Sequence, residues 1–161
     1  MRPSNYAFEM PLRELRTAEL LLVATLRLYA VSRHGHARLD WCAGLRAAGL
    51  NGAPIEAFSD FFGAIRATER RKLDVGCPHC QVLGPDEGLF LQLIAALQRG
   101  RIQQAAAVLA DWTASDTPAR TLVPIRVFAD ALAQAGLIIP PRHGGLSLPL
   151  LADQSGRAFM H

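Results

Sequence analysis

The chain has 161 residues and a formal net charge of +3, with 50% hydrophobic and 19% charged residues. This length fits one domain that can form a core without disulfides or metals, and the composition excludes a disordered chain. The basic residues are mostly scattered arginines, which argues against a dedicated nucleic-acid-binding protein. We therefore expect one folded domain over 1–161, with poorly ordered ends at about 1–10 and 152–161.

The N-terminal region and the cysteine count bear on location. Glu9, Arg13 and Glu14 precede the apolar run that begins at Leu20, unlike the short basic region of a secretory signal peptide. Arg27 interrupts that run, so it lacks the uncharged length of a membrane-spanning helix. The three cysteines are an odd number, which argues against a secreted disulfide framework. We expect a cytoplasmic protein without a membrane span.

Helical periodicity recurs along the whole chain, and no segment shows the alternation that is typical of a strand. Glycines and prolines separate six helical segments, and Pro124 either kinks the sixth or divides off its first turn. The predicted helices run over about 12–32, 37–48, 54–72, 85–99, 101–112 and 117–135. This pattern predicts an all-α fold: an irregular or orthogonal bundle of about six helices with an extended C-terminal tail.

The first predicted helix is apolar on most sides, which is typical of a helix at the centre of a bundle. Only Arg16, Glu19 and Arg27 form a narrow stripe on it that we expect to be solvated. The core is predicted from apolar residues at helical spacing: Leu22, Leu26, Phe58, Phe61, Phe62, Leu93, Ile94 and Leu97.

Cys77, His79 and Cys80 form a C-x-x-C with an internal histidine, the one cluster of reactive side chains at a recognisable spacing. The two thiolates, with His79, could supply zinc ligands. They could instead act in redox chemistry, although the βαβ context of thioredoxin-like proteins is absent. We prefer a third interpretation, in which the two cysteines lie close together but are reduced and metal-free. Further zinc ligands would come from residues at no standard spacing: His34, His36, Cys42 or His143.

Cys42 and two charged clusters have ordinary structural explanations. Cys42 falls on an apolar helix face, where a free cysteine behaves as a small buried hydrophobe. Asp86 and Glu87 follow Pro85 at a helix start, where acidic residues complement the dipole, so we prefer that role to an acid–base pair. We expect 69–72 to be a solvated helix end. No nucleotide-binding, zinc-protease or serine-hydrolase motif is present, so no catalytic residue is proposed.

The second and third predicted helices permit a helix-turn-helix in which 54–66 would be the recognition helix. Its exposed N-terminal positions carry Glu56, Ser59 and Asp60 in place of the basic or amide side chains that contact bases. Carboxylates that face phosphates weaken binding. Nucleic-acid recognition is therefore the least favoured alternative.

The segment from Cys77-Pro78 to Pro85-Asp86-Glu87, with the leucine-rich helix that follows, resembles a group of small helical proteins of alphaproteobacteria of unknown function. The resemblance covers about the middle half of the chain. It implies an all-helical protein and no particular activity, so no functional residue is transferred from it.

The sequence leaves open whether the protein is an enzyme and leans against catalysis. We favour a non-enzymatic binding or regulatory protein that acts through protein–protein contacts, with another protein or a second copy of itself as partner. A small zinc-binding protein that uses Cys77, Cys80 and His79 is the first alternative. A helix-turn-helix nucleic-acid-binding protein is the second.

Overall fold

The computed structural model describes residues 2, 4–35, 38–114 and 118–142, and this part of the chain is all-helical. Within these ranges β-type pairing is confined to two isolated bridges, Pro11–Val82 and Glu69–Thr113. The predicted all-α bundle of about six helices is confirmed, and the predicted tail beyond 142 lies outside the described residues. A short 3-10 helix, Leu12–Glu14, precedes six α-helices: α1 (Thr17–Arg33), α2 (Ala43–Ala47), α3 (Ala53–Ala67), α4 (Pro85–Gln98), α5 (Ile102–Trp112) and α6 (Pro118–Gln134).

Three helices are shorter than the sequence pattern predicts: α1, α2 and α3, of which α3 ends at Ala67 before the charged segment 69–72. The first does not run unbroken from 12, because Leu15 and Arg16 are extended and separate the 3-10 helix from α1. The Glu19 side chain accepts a hydrogen bond from the Arg16 backbone N–H, which caps the start of α1. Helix α2 begins only at Ala43, after a turn in which the Asp40 carboxylate accepts hydrogen bonds from the Cys42 thiol and the Arg46 guanidinium.

The core is built around aromatic side chains from four helices. Phe58 of α3 lies at its centre, with ring centroids 5.3 Å from Tyr29 of α1, 6.1 Å from Phe90 of α4 and 5.1 Å from Phe128 of α6. Aromatic pairs at these distances add specific edge-to-face attraction to the burial of apolar area. All eight residues predicted for the core are buried, so that prediction is confirmed.

The helix at the centre of the bundle is α4, and the expectation that the first helix is central was wrong. Eleven of the 14 residues of α4 are buried, against seven of the 17 in α1. From Gly88 to Leu97 only Gln92 is polar, so α4 can be covered on all sides. Helix α1 exposes apolar side chains such as Leu20, which single surface residues commonly do.

The N-terminal segment also packs on the bundle. We expected residues 1–10 to be poorly ordered, whereas Tyr6 is buried and its hydroxyl donates a hydrogen bond to Glu19 at 2.6 Å. Gly88 of α4 permits this approach, because a Cβ there would lie 2.7 Å from Oγ of Ser4. The segment therefore contributes to the core and to the site described next. The other predicted poorly ordered end, 152–161, lies outside the described residues.

Candidate functional site

The C-x-x-C segment forms a loop between α3 and α4, in which Cys77 and Cys80 are joined by a disulfide. The predicted closeness of the two residues is confirmed, with Cα atoms 5.2 Å apart, a separation that suits disulfide geometry. We predicted two reduced thiols, whereas in the structure the two sulfurs are bonded to each other. Cys77 and His79 are exposed and Cys80 is half-buried. The Cys77 backbone N–H donates a hydrogen bond to Sγ of Cys80 at 3.2 Å.

The predicted zinc ligands do not converge in the part of the chain that the structure describes. No three His, Cys, Asp or Glu side chains there lie close enough together to hold a metal ion. The sulfurs of Cys77 and Cys80 are committed to each other, and zinc binds thiolates. His34 is exposed after the end of α1. His36 and His143, the other proposed histidine ligands, lie outside the described residues.

Cys42 is the free cysteine of the chain and is buried beside α2, as expected. Its thiol donates a hydrogen bond to a carboxylate oxygen of Asp40 at 3.2 Å. Burial raises the pKa of the Cys42 thiol, and the Asp40 carboxylate raises it further. Because the thiolate is the reactive form, burial and the raised pKa both lower the reactivity of Cys42 in the folded protein.

A buried ion pair holds the C-x-x-C loop against the bundle. Arg27 of α1 and Glu87 of α4 are 2% and 0% exposed, and two hydrogen bonds of 2.6 and 2.8 Å join them. Arg27 also donates to the backbone carbonyls of Cys80 and Val82 at 2.6 and 2.8 Å. The prediction that Arg27 is solvated was therefore wrong, because loop carbonyls and a carboxylate replace water around its guanidinium.

The carboxylate of Glu87 completes this arrangement from the opposite side. It accepts hydrogen bonds from the backbone N–H groups of Gly76 at 3.0 Å and Gly84 at 2.6 Å. Gly84 immediately precedes α4, so the predicted helix-start role of Glu87 is present, together with a second role in ion pairing. Gly76 lies against Arg27, since a Cβ at this glycine would be 2.8 Å from Nη2. The pair thus fixes the backbone on both sides of the disulfide. We name Arg27, Glu87 and the backbone they bind, at 76, 80, 82 and 84, the loop clamp.

A second buried carboxylate, Asp86, ties the start of the same loop to α5. Arg71 donates to both oxygens of Asp86 at 2.7 and 2.8 Å and to Asp111 at 2.6 Å. The indole N–H of Trp112 and the backbone N–H of Asp74 also donate to Asp86, at 2.9 and 2.6 Å. The segment 69–72 was expected to be a solvated helix end. It follows the end of α3 at Ala67, and its residues 69, 70 and 72 are exposed as expected, whereas Arg71 lies between two helices.

A third buried carboxylate, Glu19, joins the N-terminal segment to the last described residue. It accepts hydrogen bonds from Tyr6 and, twice at 2.8 Å, from Arg142. The guanidinium of Arg142 also stands over the Tyr6 ring, 5.2 Å from its centroid, in a cation–π contact. Glu19 is 0% exposed, so its assignment to a solvated stripe was also wrong.

Two of these carboxylates have lowered pKa values for the same reason. Burial alone would raise the pKa of Glu19, but hydrogen bonds from Arg142, Tyr6 and the Arg16 backbone outweigh it. Burial would likewise raise the pKa of Asp86, and the donors around it, with Arg71 foremost, reverse that effect. Both groups are therefore ionised at neutral pH and fully engaged, which does not suit a general acid or base.

A pocket of about 620 Å³ opens beside the C-x-x-C loop, between the N-terminal segment and the start of α4. Phe8 and Val82, which are 85% and 40% exposed, line it, and Cys80 reaches it too. The charged lining comprises the carboxylates Glu9 and Asp74 and the guanidinium of Arg2. Phe8 and Val82 together give this pocket an exposed apolar lining, and contiguous exposed apolar patches are typical of interaction sites.

Backbone pairing holds the exposed phenylalanine in place. Leu12 N–H donates to the carbonyl of Gln81 at 2.9 Å, and Leu83 N–H donates to that of Met10 at 2.8 Å. These bonds join the segment after Phe8 to the segment after the disulfide. Glu9 has a φ of +51°, which a non-glycine residue adopts rarely, so the chain turns sharply next to Phe8. Phe8 is presented by a fixed turn.

No local sequence pattern marks Phe8, Arg27 or Arg71 as site residues. One signal was available: Asp86 and Glu87 open a helix that is apolar on every side, so neither carboxylate could remain solvated once α4 was covered. Buried carboxylates require cationic or N–H partners. The sequence contained no comparable signal for the partners themselves.

The comparisons with known proteins give no relative. No family model matches the chain, and no curated protein or solved structure matches it either. The resemblance to alphaproteobacterial helical proteins stays a prediction. Among the described residues, no helix is both long enough and apolar enough to cross a membrane.

Proposed function

We propose that the protein acts through protein–protein contacts made at the Phe8 pocket, and that a second copy of the same chain occupies it. The single observation that carries this proposal is the pairing of a protruding aromatic side chain with an apolar pocket on one face. Phe8 is the most exposed large hydrophobic side chain of the described residues, and it stands at the edge of the pocket that it lines.

Shape supports self-association. In a two-fold interface the same patch faces itself, so a residue on one copy meets a different residue of the same patch on the other. A knob beside a hole satisfies this requirement, because Phe8 of each copy can enter the pocket of its partner. Aromatic anchors in desolvated pockets supply much of the binding energy at interfaces.

The charges of the pocket lining also support a second copy of the chain as the occupant. Arg2 carries the positive charge of the pocket lining, and Glu9 and Asp74 carry two negative charges. A patch with both signs can pair with a rotated copy of itself, cation against carboxylate. Such pairs favour one orientation of the two copies and weaken at high salt.

Light scattering coupled to size-exclusion chromatography, over a concentration series, tests the proposal. We expect the unaltered chain to be a dimer and Phe8→Ser to be a monomer at the same concentration. The matched control is Val123→Ser, since Val123 is 64% exposed on α6 and lines a different groove, between α3 and α6. This variant should remain dimeric.

Two results would contradict the proposal. The unaltered chain could remain monomeric at the highest concentration at which it stays soluble. Alternatively, Phe8→Ser and Val123→Ser could dimerise equally, which would place the interface elsewhere. A dimer that Arg2→Glu weakens, and that high salt weakens in the unaltered chain, would support the charge argument.

A further inference from the structure

The disulfide joins two sulfurs with different environments. Cys77 is exposed, whereas Cys80 is half-buried at the Phe8 pocket. Thiol–disulfide exchange requires an incoming thiolate to reach a disulfide sulfur, so access decides which sulfur is attacked. Because Cys77 is the more exposed residue, we take its Sγ as the sulfur that an incoming thiolate reaches.

Sγ of Cys80 has the environment of a leaving group. When Sγ of Cys77 is attacked, Sγ of Cys80 departs as a thiolate. The Cys77 backbone N–H already points at this atom, 3.2 Å away, and a hydrogen bond to the charged form stabilises a thiolate. A leaving thiol with a more stable thiolate departs faster.

The loop clamp keeps the two cysteines together after the bond is broken. Glu87 accepts from the N–H of Gly76, just before Cys77, and Arg27 donates to the carbonyl of Cys80 at 2.6 Å. Neither contact involves a sulfur atom. The ends of the loop are therefore held by the bundle independently of the disulfide, so reduction leaves the thiols in position to close again.

We propose that Cys77 and Cys80 form a reversible exchange site for thiols, with Cys77 as the attacked and Cys80 as the leaving residue. A thiolate RS⁻ attacks Sγ of Cys77, the bond between the two cysteines breaks, and Cys80 leaves as a thiolate that takes a proton from water. A second thiolate then attacks the outer sulfur of the mixed disulfide, the S–S bond to Cys77 breaks, and Cys77 leaves as a thiolate that takes a proton from water. RSSR is released and the protein is left as a dithiol, so two thiols are oxidised and one disulfide is reduced.

This inference goes beyond the proposed function and does not depend on it, because the exchange needs no second copy of the chain. The ligand class is a thiol, either a small molecule such as glutathione or a cysteine side chain on an extended peptide. Cys80 lines the apolar Phe8 pocket, so an apolar peptide has a surface to contact there. The two sources give different rates in the test below.

The test traps the exchange on the oxidised full chain, with Cys42→Ala to remove the third thiol. Reduced glutathione is added, the thiol that its attack releases is blocked at once with iodoacetamide, and tandem mass spectrometry locates both groups. We expect glutathione on Cys77 and the blocking group on Cys80 in about a tenfold excess or more over the reverse assignment, because Cys77 is the more exposed residue. A peptide with a reduced cysteine between apolar residues is compared with glutathione, and a faster rate for the peptide distinguishes a protein thiol from a small one.

A second measurement on the parent chain guards against effects of the substitution. Glutathione should reduce the Cys77–Cys80 bond while the far-ultraviolet circular dichroism spectrum remains unchanged, and oxidation should restore the bond. Glutathione found equally on Cys77 and Cys80, or mainly on Cys80, would overturn the proposal. So would a bond that resists glutathione in the folded protein, or reduction that removes the helical signal. One bound zinc per reduced chain that blocks exchange would also overturn it and would favour a metal site.

Discussion

The loop clamp makes a sharp prediction for Glu87→Gln, which changes one oxygen to an amide nitrogen and leaves the shape nearly unaltered. Glu87 accepts four hydrogen bonds, two from Arg27 and one each from the backbone N–H groups of Gly76 and Gly84. Each carboxylate oxygen accepts two of them. Glutamine keeps one acceptor oxygen and turns an NH₂ group toward the other two donors, so two of the four bonds are lost.

The expected cost follows from burial. Hydrogen bonds to charged groups contribute about 1.5–3 kcal/mol each, so the loss of two costs roughly 3–6 kcal/mol. Removing one partner of a buried ion pair costs about 3–5 kcal/mol in general, since the remaining charge is left uncompensated. Arg27 and Glu87 are 2% and 0% exposed, so water cannot take over these contacts. We expect the free energy of unfolding to fall by about 3–5 kcal/mol.

Urea unfolding followed by circular dichroism measures this change, with the slope against denaturant checked for two-state behaviour. Glu56→Gln on α3 is the matched control, because it makes the same chemical change on an exposed side chain and should have no measurable effect. A loss below about 1 kcal/mol for Glu87→Gln would refute the reasoning, since it would mean that solvent replaces the lost contacts.

Two further predictions concern the same contacts. Glu19 and Asp86 have lowered pKa values, so the stability that they contribute is present above the unfolded-state pKa of about 4 and is lost as pH falls through the folded-state values. Urea unfolding at descending pH should therefore show the free energy of unfolding decreasing below about pH 4. A constant free energy of unfolding over that range would contradict this prediction. Gly76→Ala should lower the free energy of unfolding by about 1–3 kcal/mol, because the new Cβ would meet the fixed guanidinium of Arg27. The control is Gly63→Ala in α3, where a Cβ meets nothing within 4 Å, and this variant should be neutral or stabilise the protein by about 0.5–1 kcal/mol. Equal effects of the two substitutions in the same unfolding assay would show that the loop moves aside without cost.

Much of the fold could be predicted from local signals. Helical spacing and terminating residues identified six helices, and the aromatic residues of α3 were placed correctly in the core. These signals depend on residues only a few positions apart, so they can be recognised without knowledge of the tertiary structure. Bounds were less accurate at α2, which begins at Ala43, about six residues after the predicted start.

The candidate site could be predicted only in part, because its contacts join residues far apart in the chain. Arg27 and Glu87 are 60 positions apart, and Glu19 and Arg142 are 123 apart. Helical periodicity treats a lone arginine on an apolar helix as a solvated residue, since nothing local supplies its counter-charge. Whether such a residue is buried depends on which loop folds over it.

The three buried carboxylates position irregular backbone as well as stabilise the fold. Replacing a buried ion pair by well-packed apolar residues is often neutral or stabilising, so burial of Arg27 with Glu87 is poor evidence of a need for stability. Their contacts are concentrated on irregular backbone: the pair binds the carbonyls of Cys80 and Val82 and two glycine N–H groups. An apolar pair would leave those four backbone groups buried without partners, and such groups are costly.

The other two carboxylates extend the same arrangement. Asp86 holds the start of the loop through Arg71 and the backbone N–H of Asp74, and Glu19 holds the N-terminal segment through Tyr6. The segments they fix are the ones that present Phe8 and the Cys77–Cys80 disulfide at one pocket. A mobile loop would lose conformational entropy on each binding or exchange event, whereas this one is already ordered by the bundle. The buried charges are thus best explained as the means by which an all-helical core holds the irregular backbone around Phe8 and the disulfide in one shape.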